Sequence, residues 1–174
     1  MKKRIIPMLW IAAVLVLSCA LVSCDKLFIP GDVPDGPSAL TLSSDAGERT
    51  SEPLSYNWRK TKTDTVSGKE GPDPLSASYD PLIVQPGERL CLTFADGNVP
   101  WIVNAMFYES DGEGGFLEMT ALPQPEKEEG GDAYFFSAPE EDGVIVVEAL
   151  WPRWVNTGIS AEAIYGFYVW SAKG

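Results

Sequence analysis

The chain has 174 residues, 25 acidic and 13 basic side chains and no histidine, which gives a formal net charge of −12 at pH 7. A surface this acidic is repelled by nucleic acid, so electrostatics disfavour a nucleic-acid-binding function. The lack of histidine rules out Ser-His-Asp and Cys-His catalysis, the common zinc and copper sites, and the usual pH switch near neutrality.

The first 23 residues have the pattern of a secretion signal. Lys2-Lys3-Arg4 supplies a positive start, and no charged residue occurs from Ile5 to Ser23. The following Leu21-Val22-Ser23-Cys24 resembles the lipobox of bacterial lipoproteins. This resemblance implies that Cys24 receives a diacylglyceryl group, that residues 1–23 are removed, and that lipid anchors the protein at the extracytoplasmic face of the cell membrane.

Two alternatives concern the same segment. Cys19, in Val16-Leu17-Ser18-Cys19, is a second candidate for lipidation, but cleavage there would leave an apolar Ala20-Leu21-Val22 in the mature chain. The stretch from Ile5 to Ser23 is also about long enough to form an uncleaved transmembrane helix. Whether this segment is a cleaved signal or a transmembrane helix, the positive start remains in the cytoplasm, and the residues after Cys24 lie outside.

Removal of residues 1–23 takes away three basic residues and no acidic one, so the formal charge moves from −12 to −15. With Cys19 removed and Cys24 lipidated, Cys91 is the remaining cysteine and no intramolecular disulfide can form. Cys91 lies in the strand pattern Arg89 to Ala95, without a histidine to activate it, and we interpret it as a small apolar residue of a sheet.

The mature chain divides into two parts. Residues 24–53 are rich in Pro, Gly, Ser and Asp, and they predict a flexible tether. Residues 54–174 contain short apolar runs separated by turn residues, a pattern that predicts an all-β antiparallel sandwich of about eight strands. The predicted strands are 54–58, 82–84, 89–95, 101–108, 116–119, 134–136, 144–150 and 163–170.

Alternation within these runs predicts which side chains face the core. Leu90, Leu92 and Phe94 share one face of their strand, as do Tyr165, Phe167 and Val169 of the last strand, with Tyr168 and Trp170 on its opposite face. The run from Trp101 to Tyr108 is apolar on both faces, which is typical of a central strand. It is followed by Asp111-Gly-Glu-Gly-Gly115, a glycine-rich hairpin connection.

The run from Tyr134 to Trp151, with Tyr165-Gly-Phe-Tyr-Val169 after it, resembles the last strands of bacterial immunoglobulin-like envelope domains. The segments Tyr56-Asn-Trp58 and Gly71-Pro-Asp-Pro-Leu75, with Pro86-Gly87 before a strand, are similar to envelope lipoproteins of Gram-positive bacteria. The resemblance implies an immunoglobulin-like β-sandwich at the cell envelope and carries over no catalytic residue.

Trp151-Pro-Arg153-Trp154 is the most distinctive surface motif. Trp151, Arg153 and Trp154 are candidate ligand-binding residues, because aromatic rings beside polar groups bind sugars or anchor protein contacts. In the competing interpretation, which we favour, Trp151 ends its strand in the core and Trp154 covers one end of the sandwich, as is usual for aromatic residues of small β domains.

Carboxylates offer two weaker possibilities. Asp111, Glu113 and Glu118 surround a glycine-rich turn and could bind calcium, although their spacing differs from the EF-hand loop and turns favour Asp and Gly for backbone reasons. A pair of carboxylates could in principle support glycoside hydrolysis, but the available ones are scattered over several predicted strands. They are Glu109, Glu118, Glu148 and Glu162.

The sequence therefore predicts a non-enzymatic, lipid-anchored binding domain without a cofactor, whose partner at the cell envelope is a protein or a glycan. One alternative is a carbohydrate- or cell-wall-binding module that uses Trp151 and Trp154. A less favoured alternative is a carboxylate-based envelope enzyme.

Overall fold

The computed structural model describes residues 36–58, 67–97, 99–152 and 160–172. They belong to a unit that runs from Pro34 to Gly174. Regular structure in these residues consists of strands and one 3₁₀ turn, Ala95–Gly97. The strands are β1 (Leu40–Ser44), β2 (Gly47–Ser51), β3 (Ser55–Trp58), β4 (Ser67–Lys69), β5 (Leu82–Val84), β6 (Arg89–Phe94), β7 (Ile102–Ser110), β8 (Phe116–Ala121), β9 (Glu126–Lys127), β10 (Ala133–Ser137), β11 (Gly143–Pro152) and β12 (Ser160–Ser171).

The strands form two sheets. Sheet A has the order β2-β1-β6-β10-β9 and is antiparallel throughout. Sheet B has the order β4-β3-β12-β11-β7-β8, and β5 adds to the end of β12 as a parallel neighbour. The two sheets pack together as a β-sandwich, which confirms the predicted all-β antiparallel class. The immunoglobulin-like assignment remains a prediction.

The core lies between the sheets and is built from alternate residues of each strand. Leu90, Leu92 and Phe94 of β6 face it, as predicted, and so do Tyr165, Phe167 and Val169 of β12. The even-numbered residues of β12 point the other way, with Trp170 55 % exposed. The hydrophobic effect therefore fixes the register of the sheets, because a slip of one residue would exchange these two sets.

Aromatic side chains fill one region of the core. The ring of Trp151 lies edge-to-face against Trp58 and Phe94, with ring centroids 5.1 and 5.8 Å apart. Phe94 also meets Tyr165 and Tyr134 edge-on, at 6.1 and 6.4 Å. Contacts of this geometry contribute about 0.5–1.5 kcal/mol each beyond the burial of area.

The predicted tether is wrong for its C-terminal part. Residues 40–51, which lie within the predicted 24–53 tether, form β1 and β2 of sheet A, so the domain begins well before residue 54. Leu40 and Leu42 are 0 % exposed, and Leu42 lies opposite Leu92 of β6. Composition misled the prediction, because the Ser-, Asp- and Gly-rich surroundings hide a Leu-Thr-Leu alternation. The signal 1–23 and residues 24–35 lie outside the described residues.

Within the described ranges, all eight predicted strands are present, together with four strands that the sequence pattern does not predict. β1 and β2 are the two just described, and β4 and β9 are short edge strands of three and two residues. Short edge strands place few residues in the core, so their sequences show little of the hydrophobic alternation that predicts a strand.

Candidate functional site

Of the ligand-binding residues predicted from the sequence, the structure describes Trp151 alone. Trp151 is 5 % exposed, and its ring packs in the aromatic core, so its faces are not accessible to a sugar. The favoured interpretation, in which Trp151 ends its strand inside the core, agrees with this position. Arg153, Trp154 and the lipidation residue Cys24 lie outside the described residues.

The hairpin between β7 and β8 explains Asp111 without a metal. One carboxylate oxygen, Oδ1 of Asp111, accepts the backbone N–H groups of Glu113 and Gly115, each at 2.8 Å. Gly112 and Gly114 have φ values of 76° and 94°, which glycine adopts without strain. Within the described parts of the chain, no three His, Cys, Asp or Glu side chains come together as a metal site, so Asp111, Glu113 and Glu118 are not assembled into one.

Cys91 lies on the outer face of sheet A, opposite Phe135 and Ser43 in register. It is half-buried, and this burial raises the pKa of the thiol. Glu128 raises it further and Arg89 acts in the opposite direction. A protonated thiol is a poor nucleophile, so the geometry agrees with a small apolar residue of a sheet rather than a reactive one.

A cleft of about 330 Å³ opens at the edge of the sandwich. β2 contributes Arg49 to it, the segment before β5 contributes Tyr79 and Asp80, and β12 contributes Gly166. The Tyr79 hydroxyl donates to the carbonyl of Pro74 at 2.7 Å, and burial, followed by the charge of Asp73, raises the pKa of Tyr79 to about 12. The ring lies so close to Gly166 that a Cβ there would fall 2.0 Å from the hydroxyl oxygen.

The outer face of sheet B, which points away from the core, is the most distinctive surface. One row across β12, β11, β7 and β8 reads Tyr168, Val144, Tyr108 and Met119 in register. Three strand spacings of about 4.8 Å make this row roughly 14 Å wide. Met119 is 47 % exposed, whereas Val144 is 1 % exposed although it lies outside the core cluster.

Neighbouring rows extend this apolar surface. Trp170 of β12 lies opposite Ile83 of β5, and the two side chains are 55 % and 52 % exposed. On the other side of the first row, Val146 of β11 lies opposite Met106 of β7; Val146 is 5 % exposed and Met106 is half-buried. This face therefore presents Ile83, Trp170 and Met119 as large exposed apolar side chains, and apolar groups gathered on one surface mark contact sites.

Carboxylates lie at the far end of the same face. Glu148 of β11 and Glu162 of β12 are diagonal neighbours, because Glu148 is opposite Ile164 and Leu150 is opposite Glu162. The Asn104 amide donates to Oε2 of Glu148 at 2.9 Å. Both glutamates are half-buried. Glu109 of β7 lies opposite Gly143, five residues along β11 from Glu148, so the four glutamates considered for hydrolysis do not form one constellation.

The five strands β5, β7, β8, β11 and β12 contain no lysine or arginine. The basic residues of the described strands lie elsewhere. Arg89 of sheet A stacks over the Phe135 ring at 3.7 Å, and Lys69 of β4 donates to the carbonyl of Pro53 at 3.1 Å. The outer face of these five strands of sheet B therefore carries apolar and acidic side chains and no basic one. The sequence pattern indicates this apolar surface, because β7 and the end of β12 are apolar on both faces.

Comparison with protein-family models, with curated proteins and with solved structures gives no match. In the parts of the chain that the structure describes, no helix has the length and apolar character needed to cross a membrane.

Proposed function

We propose that the protein is a non-enzymatic, lipid-anchored binding domain of the bacterial cell envelope, with an immunoglobulin-like β-sandwich that contacts another protein through the outer face of sheet B. The observation that carries the proposed contact is the apolar surface formed by Ile83, Trp170, Tyr168, Tyr108 and Met119. Burial of such a surface against a partner is favourable, at roughly 25 cal/mol per Å² of apolar area.

The signal pattern and Cys24 support the location. A lipid anchor holds the domain at the membrane, and two acyl chains are enough for stable attachment. The absence of histidine from the sequence supports a function that depends on contact rather than on imidazole chemistry. The glycan-binding alternative now depends on Trp154 and Arg153, since Trp151 is in the core.

The anchor is tested by the intact mass of the full chain isolated from membranes. We expect a mass that starts at Cys24 with added acyl chains, lost in Cys24→Ala. Cys19→Ala is the matched control, and it should leave the mature mass unchanged because residue 19 is removed with the signal. An unprocessed chain would contradict the anchor.

The contact surface is tested by a photo-crosslinking amino acid introduced at Trp170 of the full chain in the producing cells. The matched control places the same group at Glu126 of β9, an exposed position of sheet A. We expect a discrete adduct from position 170 and none from position 126. Equal labelling at both positions, or none at either, would contradict a docking role for sheet B.

A further inference from the structure

The charge of the docking face indicates what kind of partner it binds. Building on the proposed function, we infer that the partner presents a basic amphipathic polypeptide segment, with apolar side chains against the aromatic rows of sheet B and lysine or arginine beside Glu148 and Glu162. The inference rests on the apolar rows, the two carboxylates on the same face, and the lack of basic residues on strands β5, β7, β8, β11 and β12.

The apolar part of the face has the size of one secondary-structure element. The row from Tyr168 to Met119 is roughly 14 Å wide, and an α-helix with its side chains is about 10–12 Å across. Trp170 and Ile83 lengthen the surface on one side. A segment with one apolar stripe would cover Trp170, Tyr108 and Met119 together, which is how amphipathic helices bind apolar surfaces.

The two carboxylates favour a partner that carries cationic side chains. Asn104 donates one hydrogen bond to Glu148, and an ionised carboxylate has about four acceptor positions, so Glu148 can accept further donors from a partner. Glu162 lies diagonally beside it, at a Cα separation of roughly 7–8 Å. Two cationic side chains spaced one helical turn apart would therefore meet two carboxylates at the edge of the apolar surface.

Charge complementarity disfavours the other occupants. A second copy of this chain would bring another acidic face against Glu148 and Glu162, and each mature copy carries a formal net charge of −15 once the three basic residues of 1–23 are removed. An anionic lipid surface would be repelled for the same reason. A basic partner gains attraction over the whole approach, which raises the rate of association and suppresses partners of like charge.

The test uses two labelled 18-residue helical peptides, one with leucine and lysine faces and the other with glutamate in place of lysine. The full chain is held in nanodiscs of zwitterionic lipid, and empty nanodiscs give the background. Fluorescence anisotropy measures the Kd. We expect binding of the lysine peptide, weakened about tenfold or more when NaCl rises from roughly 0.05 to 0.5 M, and no binding of the glutamate peptide.

Variants locate the binding. Trp170→Ser with Met119→Ser should raise the Kd about tenfold or more, and Glu148→Gln with Glu162→Gln about fivefold, each with an unchanged circular dichroism spectrum. The matched control, Glu48→Gln with Glu126→Gln, removes the same charge from sheet A and should change the Kd less than about twofold. An equal loss in the control would show that overall charge binds the peptide, and would overturn the inference.

The remaining outcomes separate the inference from the proposed function. Equal binding of both peptides would overturn the basic partner but leave a docking face. Failure of both peptides, with adducts still formed from position 170 in cells, would likewise overturn the basic partner alone. Failure of the peptides together with a lack of those adducts would overturn both.

Discussion

Trp151 illustrates how burial decides the role of a residue that the sequence leaves ambiguous. Its ring meets Trp58 and Phe94 in the core, and neither of these contacts can be read from the local Trp-Pro-Arg-Trp motif. We predict that Trp151→Ala lowers the free energy of unfolding by about 3–5 kcal/mol, the cost of emptying a large core site. Trp170→Ala, at an exposed position of β12, should cost less than about 1 kcal/mol.

Urea unfolding of the two variants, followed by circular dichroism, measures this difference. If Trp151→Ala is no more costly than Trp170→Ala, then Trp151 is not a core residue, and its role as a ligand-binding residue returns.

Three tyrosines link stability to alkaline pH. Burial raises the pKa of Tyr165, whose hydroxyl donates to the carbonyl of Ser38 at 2.8 Å, and burial also raises the pKa of Tyr79 and Tyr134. The unfolded chain releases these protons near pH 10, whereas the folded chain retains them. The contribution of these protonated tyrosines to stability is therefore complete below about pH 10. It is lost as the pH rises through their higher folded-state pKa values.

We predict that the free energy of unfolding falls between about pH 8 and 11. In the Tyr165→Phe variant, the free energy of unfolding should fall less over the same interval. The variant should start lower at pH 8, by about 1 kcal/mol for the lost hydrogen bond. Urea unfolding at the two pH values measures the slopes. Identical losses in the wild type and in Tyr165→Phe would contradict the assigned cause.

At the scale of elements, the sequence predicted strands where hydrophobic period was sustained and missed them where it was short. β6, β11 and β12 alternate over six or more residues, and their predicted faces match the structure. β1 offers two leucines within a polar segment, and its pairing with β6 is a long-range contact that local composition cannot show. The carboxylate positions on sheet B likewise depend on the register between β11 and β12.

β1 gives the sharpest test of the corrected domain boundary. We predict that Leu42→Ala lowers the free energy of unfolding by about 2–5 kcal/mol, because the side chain is completely buried. Thr41→Ala, on the opposite face, removes a hydroxyl contact with Thr50 and should cost about 1 kcal/mol or less. Urea unfolding measures both values. If Leu42→Ala lowers the free energy of unfolding as little as Thr41→Ala does, residues 40–51 belong to the tether and not to the folded domain.

At the scale of the whole molecule, the acidic surface opposes folding. With a net charge of −12, like charges repel one another more strongly in the folded chain than in the expanded one. We predict that the free energy of unfolding rises by about 1 kcal/mol as NaCl increases from roughly 0.02 to 0.5 M, because salt screens this repulsion. Urea unfolding at the two concentrations measures it.

A charge-reversal variant is the matched control for the salt effect. Glu129→Lys with Glu140→Lys changes two exposed positions outside sheet B, so it should raise stability at low salt and reduce the dependence on NaCl. A wild type whose stability is independent of salt, or decreases with it, would contradict the repulsion.

Hydroxyl-radical footprinting of the full chain, purified and in intact cells, tests most directly whether the outer face of sheet B is a docking surface. In the purified chain, Trp170, Met119 and Trp101 should all be oxidised, since they are 55 %, 47 % and 55 % exposed, and Trp58 should be protected. In cells, protection of Trp170 and Met119 with continued oxidation of Trp101 is the predicted result. Equal oxidation of Trp170 and Met119 in both settings would contradict a partner on this face.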